Sequence, residues 1–186
     1  FKLHWECPMD HPVRSECSLY GPNRWPDHVP GMAELVLDYW DKCEQLTATL
    51  LSALAGAIGI DPAVILTHFE FPLTNMTLLH YPPKSFQTEQ VGIHPHKDIS
   101  ALTILHPDPS GGLDVQIRKG TWIEAAGPPE ALLVNVGDLL ELWSGGQFVS
   151  TPHRVMNRTK SDRYSAPYFA VPNHRTVVEP LIETVS

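Results

Sequence analysis

Beyond Pro72 the sequence consists of short apolar runs separated by residues that favour turns. Five runs have the length of strands and are too short for typical helices: 77–81, 101–106, 113–117, 131–136 and 164–171. Residues 107–112, which contain two prolines and two glycines, are typical of the loops between such strands. The pattern predicts a β domain, and several short strands bounded by turns favour a jelly roll.

The first 75 residues have a different character. Prolines interrupt residues 1–30 repeatedly, which predicts an irregular segment that wraps the core. From Met32 to about Ile58 apolar residues recur at steps of three and four, which predicts one long amphipathic helix ending near Gly59. The residues in this pattern are Leu35, Val36, Tyr39, Trp40, Cys43, Leu46, Leu50, Leu51 and Leu54.

Length and composition limit the number of domains. A chain of 186 residues with 42% hydrophobic content suffices for one well-packed core and is too short for two. We therefore expect residues 1–75, with the long helix, to pack on a mainly β domain formed by residues 76–186.

Charge and cysteine content bear on partners and location. The net charge of −8 argues against a nucleic-acid partner, because phosphate-binding surfaces need clustered Lys and Arg. The apolar runs are too short for a membrane span, so no membrane partner is expected. Cys7, Cys17 and Cys43 are odd in number and lack a metal-type spacing, which favours reduced thiols and a cytoplasmic protein.

Three side chains form a candidate iron site. His96 and Asp98 would share one face of a strand, with Lys97 turned away. His153 follows 57 residues later (153 − 96), enough for the chain to leave and return. Two histidines and one carboxylate suit Fe(II) and leave three positions open, which favours catalysis. His94 and His96 could also begin a cupin site, but the Glu that a cupin needs is absent nearby, so we place His94 at the pocket mouth or before the strand.

A second pair predicts an anion site. Arg163 and Ser165 are two residues apart and would share one face of a strand. An Arg side chain can bind a carboxylate through two parallel hydrogen bonds, and a hydroxyl can add a third. The following residues, 166–171, are mostly apolar, so an unpaired charge there would be costly and a bound anion is the better explanation.

Five motifs together resemble the iron(II)/2-oxoglutarate-dependent dioxygenases of the isopenicillin-N-synthase-like branch. The motifs are LLHYPP at 78–83, HPHKDISALT at 94–103, VGD at 136–138, STPHRV at 150–155 and RYSAPYF at 163–169. Each motif alone is weak evidence, but their order and spacing both fit the family. The resemblance implies a distorted double-stranded β-helix, the jelly-roll form of that family.

The resemblance also implies a reaction and its cofactors. Fe(II), 2-oxoglutarate and O2 would be used to oxidise, most often to hydroxylate, an unactivated C–H bond of a small-molecule substrate, with release of succinate and CO2. Arg163 and Ser165 would hold the distal carboxylate of 2-oxoglutarate, and Tyr81 would also hydrogen-bond to it.

Four apolar or small residues are candidates for the substrate pocket. Phe169 matches a family position that often packs on the substrate, and Thr77, Leu79 and Ile93 could line the same space. At the position of Leu79 many relatives have an Asn that assists the cosubstrate, so cosubstrate binding would depend more on the other polar residues.

Two other functions are compatible with the sequence. An iron oxidase of the same fold could work without 2-oxoglutarate, with Arg163 and Ser165 holding the carboxylate of the substrate itself. A noncatalytic jelly-roll binding module is disfavoured, because the candidate metal ligands and the anion pair occur together.

Overall fold

The structure is a computed structural model that describes residues 1–83, 90–118, 120–158 and 161–182. The α-helices are α1 (Met32–Ala57), α2 (Pro62–Leu66) and α3 (Asp138–Trp143), and short 3-10 helices occur at Pro12–Ser15 and Thr67–Phe69. The strands are β1 (Lys2–His4), β2 (Asn75–Thr77), β3 (Leu79–Tyr81), β4 (Gln90–His96), β5 (Leu102–Leu105), β6 (Leu113–Arg118), β7 (Thr121–Glu124), β8 (Leu133–Val136), β9 (His153–Asn157), β10 (Arg163–Ser165) and β11 (Tyr168–Ala170).

Helix α1 confirms the predicted amphipathic helix. It buries one stripe of side chains at steps of three and four residues: Trp40, Cys43, Thr47, Leu51 and Ala55. This stripe packs on β11, where the rings of Trp40 and Tyr168 lie edge to face with centroids 5.1 Å apart. The described part of the chain contains no helix that is long and apolar enough to cross a membrane.

The strands form antiparallel sheets, as expected for a mainly β protein. Five strands form one sheet in the order β1-β2-β11-β5-β8, and four form another in the order β4-β9-β6-β7. Strands β3 and β10 pair separately, with Arg163 opposite Tyr81 and Ser165 opposite Leu79. Helix α1 and the five-stranded sheet share the largest buried apolar cluster.

Two predicted strands are each divided in the structure. The run at 77–81 gives β2 and β3, and the run at 164–171 gives β10 and β11. Pro167 lies in the second break and has no N–H to continue a ladder. Strands β2 and β11 pair in the five-stranded sheet, whereas β3 and β10 pair with each other. The prediction of single strands was wrong because an apolar run does not show that its halves have different partners.

The N-terminal segment is more regular than predicted. Strand β1 pairs with β2, and Leu3 at its centre is buried opposite Met76. A three-residue strand with a single buried side chain is too short to show a period in the sequence. Residues 2–4 therefore extend the five-stranded sheet rather than wrap it.

A buried carboxylate connects β6 to the end of β9. Asp114 is 2% exposed and accepts hydrogen bonds from Nη1 and Nη2 of Arg158, at 2.6 and 2.8 Å, and from Nε of Arg154 at 3.0 Å. The hydrogen bonds from Arg158, aided by Arg154, lower the pKa of Asp114 although burial opposes this. The contacts hold β9, whose first residue is His153, against β6.

Candidate active site

A cavity of about 270 Å³ receives side chains from all three sheets. The five-stranded sheet contributes Thr103, Leu105, Leu133, Val134, Asn135 and Phe169, and the four-stranded sheet contributes Ile93, His96, Leu113, Val115, His153 and Val155. Strands β3 and β10 add Leu79, Tyr81, Arg163 and Ser165, and Asp98, Ala125 and Pro167 complete the wall. Most of this surface is apolar, so its polar groups are the features that need an explanation.

His96, Asp98 and His153 lie together at this cavity. One ligand atom from each falls within 4.8 Å of the other two, and Oδ1 of Asp98 is 3.7 Å from Nε2 of His96 and 3.4 Å from Nε2 of His153. The route differs from the prediction, because β4 ends at His96 and Asp98 lies in the following turn rather than on the strand. The turn, not strand alternation, brings the carboxylate to the two imidazoles.

Main-chain carbonyls orient both imidazoles. Nδ1 of His96 is 2.8 Å from the carbonyl oxygen of His94, and Nδ1 of His153 is 3.1 Å from that of Thr151. Because a carbonyl only accepts, each Nδ1 carries a proton and donates it, and Nε2 is the ring nitrogen that faces Asp98. This is the arrangement of histidines that bind a metal through Nε2. His94 contributes its carbonyl, and its side chain is exposed.

Two polar side chains hold the other oxygen of the buried carboxylate. Oδ2 of Asp98 accepts from the Thr103 hydroxyl at 2.7 Å and from the Asn135 amide at 3.2 Å, which leaves Oδ1 towards the imidazoles. Burial raises the pKa of Asp98, but the hydrogen bond and charge of His153 and the hydrogen bonds from Thr103 and Asn135 together outweigh it, so the pKa is lowered overall. Burial likewise acts to lower the pKa of His153, and the contact with Asp98 raises it overall. The site is suited to a cation.

The sequence reasoning missed Thr103 and Asn135. They are cross-strand partners on β5 and β8, so their side chains share the face that lines the cavity. The available signal was a polar residue within each of two otherwise apolar strand sequences, LTIL and LVNV. An isolated polar residue on a buried strand needs a partner, and here both have Asp98.

Arg163 lies away from the three-residue cluster. Its Nε donates to the carbonyl oxygen of Gly111 at 2.8 Å, two residues before Leu113 on β6. On β6, Val115 pairs with His153, and Leu113 is the next residue that faces the cavity. Gly111 lies two residues further on, so the guanidinium lies beyond the Val115–His153 pair along the cavity. The cavity thus has a three-residue cluster that can hold a metal ion and, further along, a guanidinium.

The guanidinium is placed to bind an anion. Arg163 is 3% exposed and lies over the Tyr81 ring, 4.9 Å from its centroid. Within the described residues neither Nη1 of Arg163 nor the Tyr81 hydroxyl has a hydrogen-bond partner. Burial raises the pKa of Tyr81, although Arg163 partly opposes this, so the hydroxyl keeps its proton and can donate. Together with Ser165, which also lines the cavity, these donors fit a carboxylate.

The four candidates for substrate contact are not all in one place. Phe169, Leu79 and Ile93 line the cavity. Thr77 is not among the described lining residues; it lies on β2 opposite Lys2. Phe169 is the cross-strand partner of Thr103, so its ring stands beside the residue that holds Asp98.

Comparison with known proteins identifies the family. The sequence profile of the 2OG-Fe(II) oxygenase superfamily matches residues 73–172, more than half of the chain. This chain belongs to the 2OG-Fe(II) oxygenase superfamily. The resemblance seen in the sequence is confirmed, and the match is consistent with the isopenicillin-N-synthase-like branch.

Individual relatives agree with this assignment. The chain is 30% identical over 177 residues to the 2-oxoglutarate-Fe(II) type oxidoreductase ppzD of Metarhizium rileyi, a match that covers 88% of this chain and 50% of that protein. It is 33% identical over 175 residues to homoarginine-6-hydroxylase 2-ODD-C23 of Glycine max, covering 88% of this chain and 52% of that protein. The chain therefore spans about half the length of these curated relatives.

Solved structures confirm the jelly-roll fold. A crystal structure of a full-length Neurospora crassa protein in complex with alpha-KG and thymine has a TM-score of 0.82 and 29% identity, and covers 100% of this chain and 57% of that one. A 2OG-Fe(II) oxygenase family protein from Caulobacter crescentus has a TM-score of 0.86 and 27% identity, and covers 97% of this chain and 59% of that one.

Proposed function

We propose that the protein is an Fe(II)- and 2-oxoglutarate-dependent oxygenase that oxidises, most often by hydroxylation, an unactivated C–H bond of a small-molecule substrate. The observation that carries the proposal is the combination in one cavity of the His96, Asp98 and His153 cluster with the unpartnered Nη1 of Arg163. A metal with open positions and a dicarboxylate cosubstrate would use these two features together.

Six polar side chains of the cavity have a role in this proposal. His96, His153 and Asp98 would hold Fe(II), since Nε2 of each imidazole and Oδ1 of the carboxylate face one another. Arg163 binds the distal carboxylate of 2-oxoglutarate, and the hydroxyls of Ser165 and Tyr81 donate to the same carboxylate. The cosubstrate is thereby oriented with its 2-oxo acid end towards the metal.

The remaining walls position the substrate and exclude water. When bound, Fe(II) with 2-oxoglutarate and O2 supplies the oxidising chemistry, and 2-oxoglutarate leaves as succinate and CO2. Phe169, Leu79 and Ile93 offer apolar contacts to the target carbon. Thr77 would contact the substrate only if the substrate extended beyond the lining residues of the cavity to β2.

We also propose the domain organisation and location expected from the sequence. Residues 76–186 form the dioxygenase domain, and residues 1–75 pack on it through α1 and β1. A cytoplasmic location is supported by the three cysteines, which are all free thiols: Cys7, Cys17 and Cys43.

Replacement of the carboxylate ligand tests the proposal. Asp98→Ala removes the anionic ligand and leaves two neutral imidazoles, so iron affinity and succinate formation should both collapse. Iron binding and succinate are measured for wild type, Asp98→Ala and the control Asp38→Ala, which changes an exposed carboxylate on α1. Near-wild-type turnover of Asp98→Ala at matched iron would refute the ligand assignment, and product formation by wild type without 2-oxoglutarate would favour the oxidase.

A further inference from the structure

One carboxylate on α3 contacts both chain segments that carry the proposed iron ligands. Oε2 of Glu141 accepts a hydrogen bond from Nζ of Lys97 at 2.9 Å and another from the backbone N–H of Ser150 at 2.8 Å. Lys97 lies between the first two proposed ligands, and Ser150 precedes His153 by three residues (153 − 150). A single side chain thus joins two segments that are distant in sequence.

The backbone of α3 fixes the helix against the first of these segments. The amide of Asp138 donates to the carbonyl oxygen of Asp98 at 2.9 Å, and that of Leu139 donates to Ser100 at 3.1 Å. Amides in the first turn of a helix have no partner within the helix, so the turn that carries Asp98 satisfies them. A Cβ added to Gly137 would lie 2.1 Å from the Ser100 carbonyl oxygen, which shows how closely the two segments approach.

We propose that Glu141 and Lys97 form a brace that sets the separation of the ligand-bearing segments and so raises the affinity for the metal. The brace is defined as these two side chains and the Ser150 amide. The inference rests on the proposed function, because it concerns the same metal. Neither side chain is itself a proposed ligand, so both are positioning residues that act through the segments they join.

The partial exposure of Lys97 and Glu141 indicates that their ion pair contributes little to overall stability, so an effect on metal binding can be measured separately. The side chains of Lys97 and Glu141 are 38% and 32% exposed, and ion pairs of this kind contribute little to the free energy of folding. The second hydrogen bond of Glu141 goes to a fixed main-chain amide, which limits the geometry of the carboxylate. Loss of the brace should therefore change metal affinity more than thermal stability.

Calorimetric titration of Co(II) into the metal-free protein measures this effect without turnover. Lys97→Met keeps the aliphatic stem but removes the charge, and we expect metal affinity to fall by about tenfold, the lower end for groups that orient metal ligands. Lys97→Arg should restore most of it. Glu141→Gln keeps an acceptor for Ser150, so it should lose less affinity than Glu141→Ala.

The matched control is Lys42→Met, which breaks an exposed ion pair with Asp38 on α1. It should bind Co(II) as wild type does, and its melting temperature should match that of Lys97→Met within a few degrees. In the Lys97→Met, Glu141→Gln double variant, the loss should be close to that of the larger single change, because the two side chains share one ion pair and the 3.8 Å contact of Lys97 with Asp138 is already lost in Lys97→Met.

Three results would overturn the brace. They are wild-type Co(II) affinity in both Lys97→Met and Glu141→Ala, additive losses in the double variant, or a loss in Lys97→Met that parallels a large fall in melting temperature. If Glu141→Ala fails to fold, the Co(II) affinities of Lys97→Met and Lys97→Arg alone test the brace: wild-type affinity in Lys97→Met would overturn it. If wild type itself bound no metal, the proposed function would fail and the brace with it, which distinguishes the two failures.

Discussion

Arg163→Lys replaces the charged donor at the anion end of the cavity. In the structure Nε of Arg163 is used by the Gly111 carbonyl, and Nη1 has no partner among the described residues. The guanidinium can therefore keep its main-chain contact and bind a carboxylate at the same time. A lysine has one nitrogen at the end of a flexible chain and cannot do both with the same geometry.

The expected cost follows from the hydrogen bonds that are lost. A hydrogen bond to a charged group contributes on the order of 1.5–3 kcal/mol, so losing one corresponds to a roughly ten- to hundredfold weaker interaction with the cosubstrate. Because Arg163 is 3% exposed, water does not readily replace the missing donor. We expect the apparent KM for 2-oxoglutarate to rise by this factor and the KM for the substrate to change little.

Succinate formation at saturating iron, measured over a range of 2-oxoglutarate concentrations, checks this expectation. The matched control is Arg175→Lys, which changes an exposed arginine that pairs with Glu16 and is not among the lining residues of the cavity, and its KM should equal that of wild type. An unchanged KM for 2-oxoglutarate in Arg163→Lys would remove the proposed role of this residue. A rise only in the substrate KM, with a wild type that needs no 2-oxoglutarate, would instead support the oxidase.

Three further predictions concern groups around the site. Thr103→Val removes a donor from the buried carboxylate of Asp98, so Co(II) affinity should fall about ten- to a hundredfold by calorimetry, and an unchanged affinity would contradict the role of this hydroxyl. Gly137→Ala forces a Cβ against the Ser100 carbonyl, so chemical denaturation should show a loss of about 1–3 kcal/mol. Asp114→Asn should be less stable than wild type at neutral pH, because the pKa of Asp114 is lowered in the folded state. The difference in the free energy of unfolding should shrink as the pH falls below the ordinary pKa of an aspartate, near 4. A difference that stays constant with pH would exclude this contribution.

Features that arise within a single helix or strand could be predicted from the sequence. The three- and four-residue period gave α1 nearly to its last residue, and the spacing of Arg163 and Ser165 placed both on β10. Both depend on interactions within one element, which a single sequence records directly.

Apart from the three candidate iron ligands, which the ordered motifs identified, features that depend on partners distant in sequence could not be predicted. Asp98 reaches the two imidazoles through a turn that α3 holds, and no local pattern shows that contact. The pairing of Thr103 with Asn135 arises from the register of β5 and β8, 32 residues apart (135 − 103). The role of Glu141 in the brace could not be predicted for the same reason, because its contacts with Lys97 and Ser150 exist only in the folded chain.

If one cavity holds a metal and a dicarboxylate together, the affinity for 2-oxoglutarate must depend on the metal. Calorimetric titration of 2-oxoglutarate is carried out on metal-free protein and on protein loaded with Mn(II), in the absence of turnover. We expect the metal to strengthen 2-oxoglutarate binding markedly in wild type and Asp98→Ala to abolish this gain. Equal affinity with and without metal, or no binding to the loaded protein, would contradict it.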